Sequence, residues 1–263
     1  MLRRYFPFLL LLWLSCGILS AKIAIYGDTR THHDVHARII TAIAAHSPNI
    51  AFHTGDLVQR GNTDAEYDRW FEISAPLLQQ CTIWPAKGNH ERDRERFIDR
   101  FKLPLERSYY TVKHDSLQWL ILDSTLDLRP GSEQYNWLDQ QLPQSSLPTI
   151  VILHHPIFSS GEHGSEFGLE LFLPELLESY GVVAVISGHE HQYEHLVHNG
   201  RHYIISGGGG APIRDFGEPS PYSLVLHKKH HYIIAERSSG ALQMKVYDLD
   251  GALLDSFRIS LTR

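Results

Sequence analysis

Short apolar runs alternate with amphipathic stretches through the first two thirds of the chain. Residues 22–26 predict a strand that ends in Gly27-Asp28. Helical spacing over 35–45 (Val35, Ile39, Ala42, Ile43) leads to a strand over 49–54 that ends in Gly55-Asp56. A helix over 67–78, with Trp70, Phe71, Ile73 and Leu77 on one side, precedes a strand over 82–86 and the block Gly88-Asn89-His90. Residues 109–114 and 117–123 predict paired strands, and 133–142 a helix. A β-branched strand over 149–153 runs into His154-His155-Pro156. Residues 169–180 predict a helix that Pro174 must kink or restart. The strand over 182–186 ends in Gly188-His189-Glu190-His191. Beyond residue 200 the pattern changes: 203–206, 222–227, 231–235, 242–248 and 253–259 predict strands with no helices between them, hence an antiparallel end.

Continuous apolar strands joined by helices imply an α/β fold whose sheet is covered on both faces. Ligands of such folds bind beyond the carboxyl ends of the strands. Here those ends carry Asp28, Asp56, Asn89, His154, His189 and His191, expected on one edge of one sheet. A single Gly-Asp turn or buried histidine carries little information. Six such residues in register carry much more, and carboxylate and amide oxygens mixed with imidazoles suit Mn, Fe or Zn.

The chain has 263 residues, room for a sizeable core, and neither linker nor repeat divides residues 22–263, which predicts one domain. With 24 basic against 30 acidic residues, net charge −6, no basic excess supports nucleic-acid binding by counterion release. Eighteen histidines beside two cysteines argue against a disulfide scaffold or a Cys-rich zinc finger.

Gly27-Asp28, Gly55-Asp56, Gly88-Asn89-His90-Glu91, His154 and Gly188-His189-Glu190-His191 together resemble the calcineurin-like metallophosphoesterase superfamily in order and content. Ser159-Ser160-Gly161-Glu162-His163-Gly164 and Ser206-Gly207-Gly208-Gly209-Gly210-Ala211-Pro212 resemble its purple-acid-phosphatase-like branch. The resemblance implies a four-layer α/β-β/α sandwich holding two divalent or mixed-valence transition-metal ions. Asp56 would bridge them, Asp28 and His191 would hold the first, and Asn89, His154 and His189 the second. His90 would be the acid that assists the leaving group, oriented by Glu91. Two cations about 3.5–4 Å apart can clamp the attacking and leaving oxygens of a phosphoryl displacement and generate hydroxide from a shared water. The expected function is a dinuclear phosphoesterase, a phosphatase or phosphodiesterase acting on a small phosphoester.

Two positions depart from that pattern. Arg30 stands where a histidine ligand is usual, and Gln59 where purple enzymes have a metal-binding tyrosine. The first ion is left with three ligands, to be completed by water, Gln59 or His36. Arg30 cannot bind a cation, but its fork suits a phosphate oxygen pair, so it is assigned to substrate with His36 and His163. His155 is read as orienting its neighbour, and His53 as packing under Asp56. The alternative function is a mononuclear or non-catalytic metal- or phosphate-binding module on the same fold. A rival motif, H-x-x-E-H over His191–His195, needs a long helix that Gly188 and Asn199-Gly200 deny.

Residues 1–21 read as a secretory signal: Arg3-Arg4, then an apolar run, then small Ser20-Ala21. Their uncharged stretch is at the lower length limit for a membrane anchor, which is the alternative. The protein is expected to be exported, periplasmic or secreted, and to meet a membrane only through that segment. Cleavage would leave Cys81 as the sole cysteine and no internal disulfide.

Overall fold

The computed structural model describes residues 21–262, so the expected leader lies outside the described residues but for Ala21. Within them the chain runs β1 (Lys22–Tyr26), α1 (His33–Ala45), β2 (Ile50–His53), α2 (Asp64–Leu78), β3 (Thr82–Pro85) and α3 (Arg94–Phe101). The hairpin β4 (Tyr110–His114) and β5 (Leu117–Ile121) follows, then α4 (Glu133–Gln141), β6 (Thr149–Ile152), α5 (Phe167–Glu170), α6 (Leu173–Ser179) and β7 (Ala184–Ser187). The final third holds β8 (Tyr193–His198), β9 (Arg201–Ser206), β10 (Ser223–His227), β11 (His231–Ser238), β12 (Ala241–Asp248) and β13 (Leu253–Ser260).

These strands form two mixed sheets, ordered β13-β12-β11-β1-β2-β3 and β10-β8-β9-β7-β6-β5-β4. The polar strand ends therefore lie on one edge of each of two facing sheets, which corrects the expectation of a single sheet. After β3 the chain leaves the first sheet through α3 and opens the second with the β4–β5 hairpin. β1–β2–β3 and β5–β6–β7–β9 run parallel, so their carboxyl ends gather at one rim. The antiparallel C-terminal end is present in β11, β12 and β13, although β9 pairs parallel with β7.

Alternation in the second sheet shows what each face touches. Trp119, Ile121, Ile150, Ile152, Ala184 and Ile186 face the first sheet. Leu120, Leu122, Val151, Leu153 and Val185 turn to the helices, where Leu138 of α4 and Leu173 and Leu177 of α6 cover them. Phe52 of β2 stacks on Trp119 of β5 with centroids 4.2 Å apart and locks the two sheets together. On the far side of the first sheet Ile39, Ile40 and Ile43 of α1 and Trp70 and Leu77 of α2 extend the same core.

Two elements escape the pattern reading. α3 (RERFIDRF) buries only Phe97, too little apolar surface to show a stripe, and its start is fixed by Asp93 accepting from Arg96 N. β8 (YEHLVH) hides polar residues: buried Glu194 accepts from Ser160 N (2.8 Å) and Oγ (2.5 Å). Its strand geometry also removes the helix that H-x-x-E-H requires. The helix expected over 169–180 is two, restarting at Leu173 so that Pro174 sits in the first turn, where its missing N–H costs nothing. No helix among the described residues is long and apolar enough to cross a membrane.

Candidate metal centre

The site begins with backbone strain. Asp28 (φ 56°), Asp56 (φ 55°) and His189 (φ 70°) each follow a strand in the left-handed region, at a cost of about 1–3 kcal/mol apiece. Gly88 and Gly188 are needed because a Cβ on them would collide with the carboxylates of Asp56 and Asp28. His53 props the turns: its Nδ1 accepts from Gly55 N (3.1 Å), and its Nε2 meets Thr29 Oγ1 (3.0 Å).

Donor atoms converge in two groups that share Asp56. On one side His154 Nε2 lies 3.0 Å from Asn89 Oδ1, 3.4 Å from Asp56 Oδ1 and 3.3 Å from His189 Nδ1. On the other, Asp28, Asp56 and His191 bring ligand atoms within 4.8 Å of one another, with His191 Nε2 3.6 Å from Asp28 Oδ1. The rings are set by backbone carbonyls. His154 Nδ1 donates to Thr54 O (3.0 Å) and His191 Nδ1 to Pro212 O (2.7 Å), which leaves each Nε2 as a lone pair aimed into the cluster. Burial, and then neighbouring charge, holds these rings neutral: His154 is driven well below the usual histidine range, and His191 down to about 3. Asp28 is pushed the other way by burial and the Asp56 carboxylate. Its Oδ2 accepts from His189 N (3.0 Å), but its buried Oδ1 has no hydrogen-bond partner. A buried carboxylate oxygen facing neutral imidazole lone pairs is what a cation would satisfy, so the residues present fit transition-metal ions.

His155, expected only behind its neighbour, brings a ring nitrogen within 4.8 Å of His154 and His189 while its Nδ1 meets Ser124 Oγ (2.9 Å). His90 is held by its Nδ1 on Gln59 O (2.6 Å) and turns Nε2 to 3.8 Å from Asp56 Oδ2. The expected orienting role of Glu91 is corrected. Its buried carboxylate instead accepts from Gly88 N (2.8 Å), Asp56 N (3.1 Å) and Val58 N (3.1 Å), tying two ligand loops together. Burial and Asp56 raise its pKa, and the Val58 and Gly88 N–H groups oppose that rise.

His36 is also corrected. It is buried in α1, with Nε2 3.4 Å from Ser74 Oγ and its ring against Trp70, so it does not fold over the site. An imidazole on the apolar face of an amphipathic helix packs into the core with that face. Arg30 lies inside the centre: Nε is 3.3 Å from Asp56 Oδ2, Nη1 donates to Gln59 Oε1 (3.2 Å), and Nη2 is 3.4 Å from His191 Nε2. His163 is half exposed at the rim, its N–H donating to buried Glu190 Oε1 (2.8 Å) and its ring against His189.

Two cations escaped the sequence reading. Arg214 Nη1 lies 2.8 Å from His163 Nδ1 and donates to His189 O (3.3 Å), and among the described residues it pairs with no carboxylate. Buried Lys87 donates to Thr125 Oγ1 (2.9 Å) and Gly88 O (3.2 Å). Lys87 adjoins the Gly-Asn-His block, which was a usable signal. Arg214 follows the glycine run with no motif of its own.

The model of the calcineurin-like phosphoesterase family matches residues 21–193. Purple acid phosphatase 18 of Arabidopsis thaliana is 29% identical over 221 residues, 72% of this chain and 49% of that protein. Probable inactive purple acid phosphatase 1 of the same plant is 25% identical over 263 residues, 80% of this chain and 43% of that one. The chain thus spans about half the length, or less, of these relatives. The structure of purple acid phosphatase PPD1 from yellow lupin (Lupinus luteus) superposes with a TM-score of 0.83 at 19% identity, covering 91% of this chain and 53% of that one.

Proposed function

The chain belongs to the calcineurin-like phosphoesterase family, and on that premise we propose that it is a dinuclear metal-dependent phosphoesterase acting on a small phosphoester. The observation that carries the reading is the two-sided use of Asp56. Its Oδ1 lies 3.4 Å from His154 Nε2 in the Asn89–His154–His189 group, and a carboxylate oxygen of the same residue lies within 4.8 Å of ligand atoms of Asp28 and His191. Asp28, Asp56 and His191 would hold one ion, and Asp56, Asn89, His154 and His189 the other. Bound ions would supply Lewis acidity and activate water for attack on phosphorus.

The protein's own groups do the rest. The carbonyls of Thr54 and Pro212 hold two imidazoles in the ligating tautomer. Glu91 fixes the loops that carry Asp56 and Asn89 relative to each other. His90, held at Nδ1 by Gln59 O, would deliver a proton from Nε2 to the leaving oxygen. Arg214 and His163, at the rim, offer donors to phosphate oxygens. An exported location rests on the residues before Ala21 and is proposed with the function.

A panel of p-nitrophenyl phosphate and bis(p-nitrophenyl) phosphate, assayed after metal stripping and after refilling with Mn, Fe or Zn, tests this reading. Turnover should vanish on stripping and return with metal. Failure of every metal to support hydrolysis of either ester overturns it. The place of Arg30, against Asp56 and His191, favours a second reading, a centre that holds a single ion.

A further inference from the structure

We propose that Arg30 competes with a metal ion for the Asp28–Asp56–His191 group, so that the two halves of the centre hold metal with very unequal affinity. The inference rests on the phosphoesterase reading for the presence of a two-sided centre, and on contacts within this chain for the asymmetry.

The competition is atom by atom. His191 has one lone-pair nitrogen, Nε2, because Nδ1 is spent on Pro212 O. Arg30 Nη2 points an N–H at that nitrogen from 3.4 Å. Arg30 Nε lies 3.3 Å from Asp56 Oδ2, the oxygen turned away from His154. Two of the three groups on this side therefore already face a cation. The guanidinium is also held from outside. Nη1 donates to Gln59 Oε1 (3.2 Å), which accepts from Thr31 Oγ1 (3.1 Å) as well. Gln59 thus cannot complete the first ion's shell while it tethers Arg30. The Arg30 side chain is 9% exposed, so water screens its charge poorly. Arginine does not lose its proton in proteins, so no change of pH lifts the competition.

The opposite side has no such rival. Among the described residues, no Arg or Lys side chain hydrogen-bonds Asn89 Oδ1, His154 Nε2 or His189 Nδ1. Metal should fill that side first. An ion entering the other side must turn Arg30 away from Asp56 and His191. Once turned, the fork is free to take two phosphate oxygens, so phosphate and the second ion should favour each other's binding.

The test is calorimetric titration of the metal-stripped full chain with Zn²⁺ and with Mn²⁺, with ions counted by mass spectrometry after dialysis. The wild type should keep one ion per chain and bind a second about a hundredfold more weakly, as expected for a dication facing a fixed, poorly screened charge. Arg30→Gln removes the charge and should tighten the second site at least about tenfold while leaving the first unchanged. Arg30→Lys keeps a charge and should keep most of the gap. Gln59→Ala, which cuts the tether but not the charge, should narrow it less than Arg30→Gln, and serves if Arg30→Gln does not fold. Two ions of equal affinity in the wild type, or an unchanged second site in Arg30→Gln, overturns the inference. If such a protein still hydrolyses p-nitrophenyl phosphate, the phosphoesterase reading survives. A wild type that takes up no ion at all overturns both.

Discussion

His191 and His195 stand four residues apart, and both are buried, but their surroundings differ in kind. His191 spends Nδ1 on a backbone carbonyl and aims Nε2 at Asp28 and Arg30. His195 spends both nitrogens on other side chains, Nδ1 on Asp255 (3.3 Å) and Nε2 on His202 Nδ1 (2.9 Å), under a stacked Phe257. Tyr193 closes the second network with its hydroxyl on Asp255 (2.6 Å). One histidine is pinned by a backbone carbonyl and turns its second nitrogen into the cluster of donors, where the Arg30 N–H meets it, whereas the other is held at both nitrogens by side chains of a separate network. Histidine abundance is therefore a poor guide to metal sites, and what sets His191 apart is that its second nitrogen converges with carboxylate oxygens of Asp28 and Asp56.

The sharpest way to break the contrast is at the residue both groups of donors share. Asp56→Asn should lose metal and turnover together, falling to background in a p-nitrophenyl phosphate assay with ions counted in parallel. Retained turnover would remove the two-sided centre. His90→Gln should keep its metal yet lose about 10²–10⁴ in kcat for alkyl phosphates, with a smaller loss for p-nitrophenyl phosphate, whose leaving group needs no proton. Equal losses would deny His90 the acid role.

Away from the metal centre the effects should be thermodynamic. His231 is buried, its Nδ1 on Lys229 O, and burial pushes its pKa down to about 4. The unfolded chain titrates near the ordinary histidine value, so between these two the unfolded state holds the extra proton. Stability should then fall as pH drops through that window, by about 3 kcal/mol from this group alone at pH 4. Denaturant midpoints of metal-stripped protein at pH 7 and pH 4 measure the fall, and His231→Gln should flatten it. The smallest effect belongs to His195→Phe, about 1–2 kcal/mol from the partners it leaves short of hydrogen bonds, with metal content and turnover unchanged. A loss of metal in that variant would erase the distinction between the two histidines.

Most of the rim was legible beforehand, because strands buried on both faces are continuous in apolar residues and the ligands follow them directly. What was hidden depends on pairing across distance. β8 reads as polar because Glu194 and His195 find their partners in Ser160 and Asp255, far off in the chain. α3 has one buried residue and no stripe to see. Arg214 has no motif and reaches the site only because the loop after β9 brings it to His163. Spacing could place His36 near the first turn of α1 but could not tell which way its ring would face, and Trp70 and Ser74 decide that. Glu91 was recognised as part of its block, but two of the three N–H groups it serves, those of Asp56 and Val58, belong to one loop 35 and 33 residues upstream.

The pairing of β1 with β11 sets an order of assembly. Lys22 sits beside Glu236 and Ile25 beside Ile233, so the first described strand gains one of its two neighbours only when the last part of the chain arrives. Asp28 leaves the end of that strand and is held by His189 N, on a loop that comes late as well. Contacts between such distant segments form slowly, because the loop between them must close first. A growing chain on the ribosome would expose Asp56 and Asn89 long before it could bring the other ligands to them. Metal uptake would then mark the end of folding, and its rate in a refolding experiment would time the closure of the two sheets.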